Sequence, residues 1–353
     1  MAPETEVSDA QAFARKVFSL YTGGILTLMI QLGYKTGLFD VLAKAAGTSD
    51  EIAARAGLSE RYVREWLGAV VTSGIVVYDA PSATYSLPPS HAVCLTGNNR
   101  LNIAPQSIVV SHLAKHLPRV TDAFRHGGGV PYAEFRPEFT DLMDDSWRRI
   151  YDETLLTGFL PAVPGLPDRL RSGVRVADVG CGTGHAVNLM AKEFSRSTFI
   201  GYDLAEDALA KATREAQAME LSNARFEVVD VVKLPGQPQF DVIFAFDSIH
   251  DQVDPAEVLR RINRALAPEG LFVMIDIKGT SNLQQDMSNP FAPFYYGLST
   301  LHCLTVSLAH GGTGLGTMWG EQVARRMLAD AGFTKVDVVH SPRPQNLVYV
   351  CRR

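Results

Sequence analysis

An apolar run, Val174-Arg175-Val176-Ala177, leads directly into Asp178-Val179-Gly180-Cys181-Gly182-Thr183-Gly184. Apolar residues then recur at helical spacing at Ala186, Val187, Met190 and Phe194. Strand, glycine turn and helix in that order place three glycines beneath a helix N-terminus. A backbone without Cβ atoms can approach a ligand closely there. Such an arrangement belongs to open α/β sheets, which bind ligands at the carboxyl ends of their strands.

Two kinds of ligand compete for the loop. A dinucleotide fold wants G-x-G-x-x-G around a pyrophosphate. Gly180 and Gly182 fit, but His185 stands in the third position and the glycine comes one residue early, at Gly184. Asp178, two residues before the first glycine, would repel a pyrophosphate and attract a cationic sulfonium or amino group. Spacing and charge therefore favour a methyl donor over a nicotinamide dinucleotide.

The residues downstream fit the same sheet. Strands are expected at 199–202, ending at Asp203-Leu204, at 226–229, ending at Asp230-Val231, and at 240–246, ending at Phe246. A turn at 267–270 leads to a fifth strand at 271–277, and 335–339 and 347–351 supply the last two. Val258, Leu259, Ile262 and Leu266 mark one helix, and 321–331, stopped by Gly332, another. The expected fold is α/β, a Rossmann-like sheet of seven strands. Asp203 can accept both ribose hydroxyls of a nucleoside, and Asp230 the exocyclic amine of adenine, with Val231 over the ring. A single strand-end carboxylate is often only a helix cap. Three in order after a glycine loop are a stronger signal.

The 353 residues allow two domains, and 46% apolar with 20% charged residues is ordinary globular composition. A net charge of −5 draws the chain to neither nucleic acid nor an acidic membrane. Cys94, Cys181, Cys303 and Cys351 lie far apart, with no metal-ligand spacing. They read as free thiols of a cytoplasmic protein, and no metal site is expected. Residues 17–34 carry no charge and approach the length of a membrane span. Their Ser, Thr, Gln and Gly content favours a buried helix at a subunit contact instead.

From Gly37 to Leu95 the pattern is helical, then a short hairpin. Thr48 and its neighbours cap a helix over 51–56 ended by Gly57. Ser59 caps the next, where Tyr62, Trp66, Leu67 and Val70 form the stripe. Residues 75–78 and 84–87 make a wing around a turn at 79–82. Four basic residues here (Lys44, Arg55, Arg61, Arg64) face six acidic ones (Asp40, Asp50, Glu51, Glu60, Glu65, Asp79). A helix entering a DNA groove should be strongly basic, so packing or dimerisation is the expected role. Residues 98–157 read as a helical connector, with His112 and His116 on one helix face and a flexible break at Gly127-Gly128-Gly129.

Asp178 to Gly184, Asp203, Asp230 and the strand around Phe246 resemble the ordered motifs of class I S-adenosylmethionine methyltransferases. The segment before them looks like the dimerisation domain of small-molecule O-methyltransferases of the plant and polyketide type. The whole chain is similar to bacterial winged-helix methyltransferases. The resemblance implies S-adenosylmethionine as cofactor, contacted by Asp178, Gly180, Gly182, Gly184, Asp203, Leu204, Asp230, Val231 and Phe246. Asp247-Ser248-Ile249-His250-Asp251-Gln252 resembles the leucine-histidine-aspartate-tryptophan motif whose histidine deprotonates a phenol or enol. Ile249 and Gln252 depart from it, which leaves His250 as the implied base, with Asp247 or Asp251 to hold it, and weakens the case for a plant-like substrate. Residues 281–317 are an insertion with Phe291, Phe294, Tyr295, Tyr296 and a glycine-rich run, suited to a lid or a small helical cap over an apolar pocket.

These expectations divide the chain into a mostly α winged-helix domain (1–97), a connector (98–157) and a methyltransferase domain (158–353) carrying that insertion. The expected protein is a homodimer acting on a small, largely apolar acceptor, with no nucleic acid partner and no membrane span. The rival is a winged-helix transcriptional regulator that uses the methyltransferase fold as a sensor.

Overall fold

The structure, a computed structural model, describes residues 4–234 and 236–353, with side chains from residue 8. It divides into two compact units, one ending at Ala114 and one running from Lys115 to Arg353.

The first unit is built on the long helix Glu4–Thr36, followed by Leu38–Lys44, Ser49–Ala56 and Glu60–Thr72. Thr48 and Glu51 form a reciprocal capping box, and Gly57 ends that helix in the left-handed region at φ 67°. Ser59 stands at the next N-cap without a side-chain bond. Val63, Trp66, Leu67 and Val70 face the core, whereas Tyr62 is 81% exposed. The buried stripe thus keeps three of its four expected positions and takes Val63 in place of Tyr62. Strands β1 (Val77–Asp79) and β2 (Thr84–Ser86) pair antiparallel as the wing. Trp66 Nε1 donates to the Met29 carbonyl at 2.8 Å and ties the long helix to this core. Gly33 is required there, because a Cβ would lie 2.5 Å from the Phe39 ring.

The expected buried helix at 17–34 is not buried within its chain. Phe18 is 70% exposed, and Phe13, Leu20, Tyr21, Ile25 and Leu32 are exposed with it. Among the described residues, Ser8–Thr36 is the one segment long and apolar enough to cross a membrane. His112 lies in helix Ser107–Ala114, while His116 only caps the separate helix Leu117–His126. Pro118 opens that new helix, so the two histidines share no face.

The second unit holds seven strands: β3 (Arg175–Val179), β4 (Thr198–Asp203), β5 (Ala224–Val228), β6 (Phe240–Phe246), β7 (Leu266–Ile277), β8 (Lys335–Val339) and β9 (Asn346–Arg352). They lie in the order β5-β4-β3-β6-β7-β9-β8, parallel except for the antiparallel pairs of β9 with β7 and β8. The expected turn at 267–270 is an outward excursion of β7: Phe240 pairs with Leu266, but Val242 already pairs with Leu271. Alternate residues feed two cores. Val176, Phe199, Phe244, Val273 and Val350 face one helical layer; Ala177, Ile200, Ile243, Phe272 and Tyr349 face the other. Chain order reverses between β3 and β6, which opens a crevice at their carboxyl ends. The glycine loop leaves β3 at that point, and the His250 loop leaves β6.

Candidate active site

The glycine loop turns through three positive φ values, 74° at Gly180, 53° at Gly182 and 69° at Gly184. The amides of Gly180 and Cys181 donate to the Tyr202 carbonyl at 2.8 and 3.0 Å and moor the loop on β4. The three glycines serve different needs. A Cβ at Gly180 would lie 2.5 Å from the Ser248 Cβ, and one at Gly184 2.4 Å from the Phe226 ring, so both are demanded by internal packing. Only at Gly182 is the space open, with nothing within 4 Å. Close approach of a ligand, expected at all three, is available there.

Asp203, at the end of β4, accepts the Gly182 amide at 2.8 Å and the Ala205 amide at 2.8 Å. Burial raises its carboxyl above the ordinary range, against the pull of those amides and of Arg136. Asp178 is 3% exposed, and its Oδ1 has no hydrogen-bond partner. Burial, with the charge of Asp203, pushes it up to about 8. A buried carboxylate beside a second, partly buried one is costly unless a cation meets them. Leu204 is exposed beside them, and Val231 is buried in the core. Asp230 accepts the Val232 amide at 3.3 Å as a cap and lies 3.6 Å from Lys233 Nζ. Phe246 closes β6 inside an aromatic cluster, 5.3 Å from Tyr151 and 5.6 Å from Phe244 between ring centres.

Across the crevice His250 is buried, with Nδ1 2.7 Å from Asp276 Oδ1. Asp276 is 1% exposed; its Oδ2 is unpartnered, while Oδ1 also accepts the Ile277 amide. Burial pushes the imidazole down, but the Asp276 charge, helped by the neighbouring Cys303, overcomes it and holds His250 well above its usual value. Asp276, on β7, therefore does what Asp247 or Asp251 was expected to do. Asp247 sits at φ 48° and accepts from Asn346 Nδ2 at 2.8 Å; burial and the Asp276 charge push it up to about 7. Burial also raises Asp251, to about 6, despite the opposing charge of His250.

Further groups come from the connector, the insertion and the loop between β8 and β9. Helix Glu138–Thr154 supplies Trp147 and Tyr151, stacked at 5.0 Å. Burial and the charges of Asp178 and Asp247 raise the Tyr151 hydroxyl well above its ordinary value. Arg343 lies 4.7 Å over the Trp147 ring. In the insertion, Phe291, Phe294 and Tyr296 are exposed, and Tyr295 packs inward with Ile277, Ala292 and Met318. The glycine-rich run is hydrogen-bonded in place: the Thr313 amide donates to the Val253 carbonyl at 3.1 Å, and Ser307 Oγ to the Gln252 carbonyl at 2.8 Å. Gly127 to Gly129 are equally constrained at one end, because a Cβ at Gly129 would strike the Thr305 carbonyl at 1.9 Å. Among the described residues, no cluster of His, Cys, Asp and Glu has metal-binding geometry.

The family described as Rv2258c-like winged HTH domain matches residues 24–97, and the family described as Methyltransferase domain matches 170–332. Residues 170–332 are a methyltransferase domain. Within this domain lie the glycine loop, Asp203, Asp230 and His250; Trp147, Tyr151 and Arg343 come from outside it. The 27-O-demethylrifamycin SV methyltransferase of Amycolatopsis mediterranei is 30% identical over 151 residues, covering 39% of this chain and 55% of its own length. A trans-aconitate 2-methyltransferase of Methylobacterium nodulans is 33% identical over 101 residues, covering 29% and 37%. The chain thus spans between 37% and 55% of these curated relatives. Human N-acetylserotonin methyltransferase, solved in complex with SAM, shares the fold at a TM-score of 0.72 and 16% identity, over 97% of this chain and 98% of that one. Mitomycin 7-O-methyltransferase does so at 0.73 and 15%, over 98% and 99%.

Proposed function

We propose that this chain transfers a methyl group from S-adenosylmethionine to a hydroxyl of a small, largely apolar molecule, with His250 as general base. One observation carries the reading: Asp178, buried with an unpaired oxygen, stands at one side of the strand-order reversal, and a buried His250–Asp276 pair stands at the other. The residues fit such a donor. Asp178 suits its cationic amino acid end, the open backbone at Gly182 admits it, and Gly180 and Gly184 shape the loop. Asp203 is set for ribose hydroxyls with Leu204 beside it, and Asp230, Val231 and Phe246 border the adenine side. S-adenosylmethionine supplies, when bound, a methyl group already activated on a sulfonium.

His250 then needs only to take the acceptor's proton on Nε2 as the new oxygen–carbon bond forms. Asp276 on Nδ1 fixes the tautomer and stabilises the imidazolium. Trp147, Tyr151 and Tyr295 exclude water and offer apolar walls. Calorimetry with S-adenosylhomocysteine should show one site per chain. Asp203→Ala should weaken it by about 1–3 kcal/mol, the scale for hydrogen bonds to a charged group. Binding of a nicotinamide dinucleotide, with no heat from either sulfur ligand, would overturn the assignment.

The winged-helix unit is read as a dimerisation module of a homodimer. Its support is the run of exposed large apolar side chains on Glu4–Thr36, from Phe13 and Phe18 to Ile25 and Leu32. Light scattering should give a dimer mass, falling to monomer or rising to aggregate in Phe18→Asp/Ile25→Asp. A monomeric wild-type chain would refute this. A regulator reading has the winged HTH match behind it and predicts tight duplex binding. Against it, Arg61 and Arg64 on helix Glu60–Thr72 are already paired with Glu65 and Glu60. Four free thiols suit a cytoplasmic protein.

A further inference from the structure

His185, the residue that replaces the third dinucleotide glycine, is buried between two carboxylates. Its Nδ1 lies 2.9 Å from Glu215 and its Nε2 2.8 Å from Asp152. Both belong to a larger network. Arg148 bonds Glu215 and reaches Asp144 at 3.1 Å, and Asn188 Nδ2 donates to Glu215 at 2.9 Å. Burial acts to raise Glu215, but the bonds from His185, Arg148 and Asn188 overcome it and hold the carboxyl at about 2. The network ends on the glycine loop, where Thr183 Oγ1 donates to Asp144 Oδ1 at 2.5 Å.

Asp144, Arg148 and Asp152 are spaced i, i+4, i+8, so they line one face of helix Glu138–Thr154. The neighbouring face carries Trp147 and Tyr151, whose ring meets Phe246 at 5.3 Å. One helix therefore grips the loop through charge and walls the crevice with aromatics. Only His185, Asn188 and Thr183 of this network are buried and its Asp, Glu and Arg members are partly exposed, so it adds little stability. The use best attested for such networks is to hold one geometry among several. Thr183 is the residue after Gly182, the one position where the loop is open to a ligand.

We propose that Asp144 and Thr183 are positioning residues for the methyl donor, the helix Glu138–Thr154 acting through them as a clamp that sets the glycine loop. This rests on the donor site proposed above. The test is a double-mutant cycle read as S-adenosylhomocysteine affinity by calorimetry, with Asp144→Ala, Thr183→Val and the double variant. Each single change should weaken binding about 10-fold, and the double should lose about the same 10-fold. Thr183→Ser, which keeps the hydroxyl, should bind within about 2-fold of wild type. A purely structural role would lower the melting temperature of Asp144→Ala and Thr183→Val with no such coupling in affinity. If Thr183→Val fails to fold, Asp144→Asn with Thr183→Ala completes the cycle. Single variants that bind like wild type, or losses that multiply to about 100-fold, overturn the clamp while the donor site stands. A wild-type chain that binds no S-adenosylhomocysteine overturns the donor site, and the clamp with it.

Discussion

His250→Gln should lower turnover by about 10²–10⁴-fold, the usual share of acid–base catalysis, while S-adenosylhomocysteine affinity hardly changes. The pH profile carries more information than the single rate. Asp276 holds the His250 pKa above its ordinary value, so the ring keeps its proton to higher pH than a free imidazole and accepts one only beyond that. Wild-type turnover should therefore climb as pH rises and level off only above the folded pKa. Asp276→Asn removes the charge that opposes burial, so the rise should move to lower pH. Its plateau should also fall, because nothing then stabilises the imidazolium formed during transfer. An acceptor ionised at the assay pH would show a small loss in His250→Gln, growing as pH is lowered. Full activity of that variant across the pH range would remove His250 from the mechanism and leave positioning alone to explain the rate.

Gly184→Ala should be among the most damaging small substitutions in the chain. The left-handed backbone at φ 69° costs a residue with a Cβ about 1–2 kcal/mol. The new methyl would also lie 2.4 Å from the Phe226 ring and 2.6 Å from Ala212, and such overpacking costs about 1–3 kcal/mol more. Denaturant melts should register roughly 2–5 kcal/mol of lost stability. Gly182→Ala makes the informative contrast. It meets the same left-handed cost, but nothing lies within 4 Å of its Cβ. It should lose only about 1–2 kcal/mol of stability and a larger share of donor affinity. Equal losses of stability in the two variants would remove the distinction between packing and ligand-facing glycines.

The donor side of the crevice was legible in the sequence because its groups sit at fixed topological places. A glycine turn after the first strand and Asp203 at the end of the second need only strand boundaries to be found. The acceptor side was less so. Asp276 is 26 residues from His250, inside a strand that reads as a buried run, and the sole hint is an acid where the pattern calls for an apolar residue. Trp147, Tyr151 and Arg343 reach the site from a helix before the sheet and a loop before its last strand, which local spacing cannot anticipate. The histidine pair failed for a local reason, since Pro118 starts a new helix between the two expected turns. The anchoring of the glycine-rich run was hidden for a tertiary reason, because the Thr313 amide finds its partner at Val253, in the loop after His250.

The antiparallel direction of β9 bears on how the site is divided along the chain. Because it runs against β7, its start rather than its end meets the carboxyl rim, and so Asn346 reaches Asp247 and Arg343 reaches Trp147. The groups proposed to handle the donor come from residues 178–231 and from Phe246 at the end of β6. The acid–base pair, the Tyr295 segment and these last two come from beyond it. Under the proposed reaction, the sheet's donor-handling and proton-handling groups are thus written in successive stretches of chain. Exchange of the chain beyond β6 would then alter the base and part of the acceptor wall and leave the nucleoside-facing strand ends intact, while Trp147 and Tyr151 would still be supplied from before the sheet.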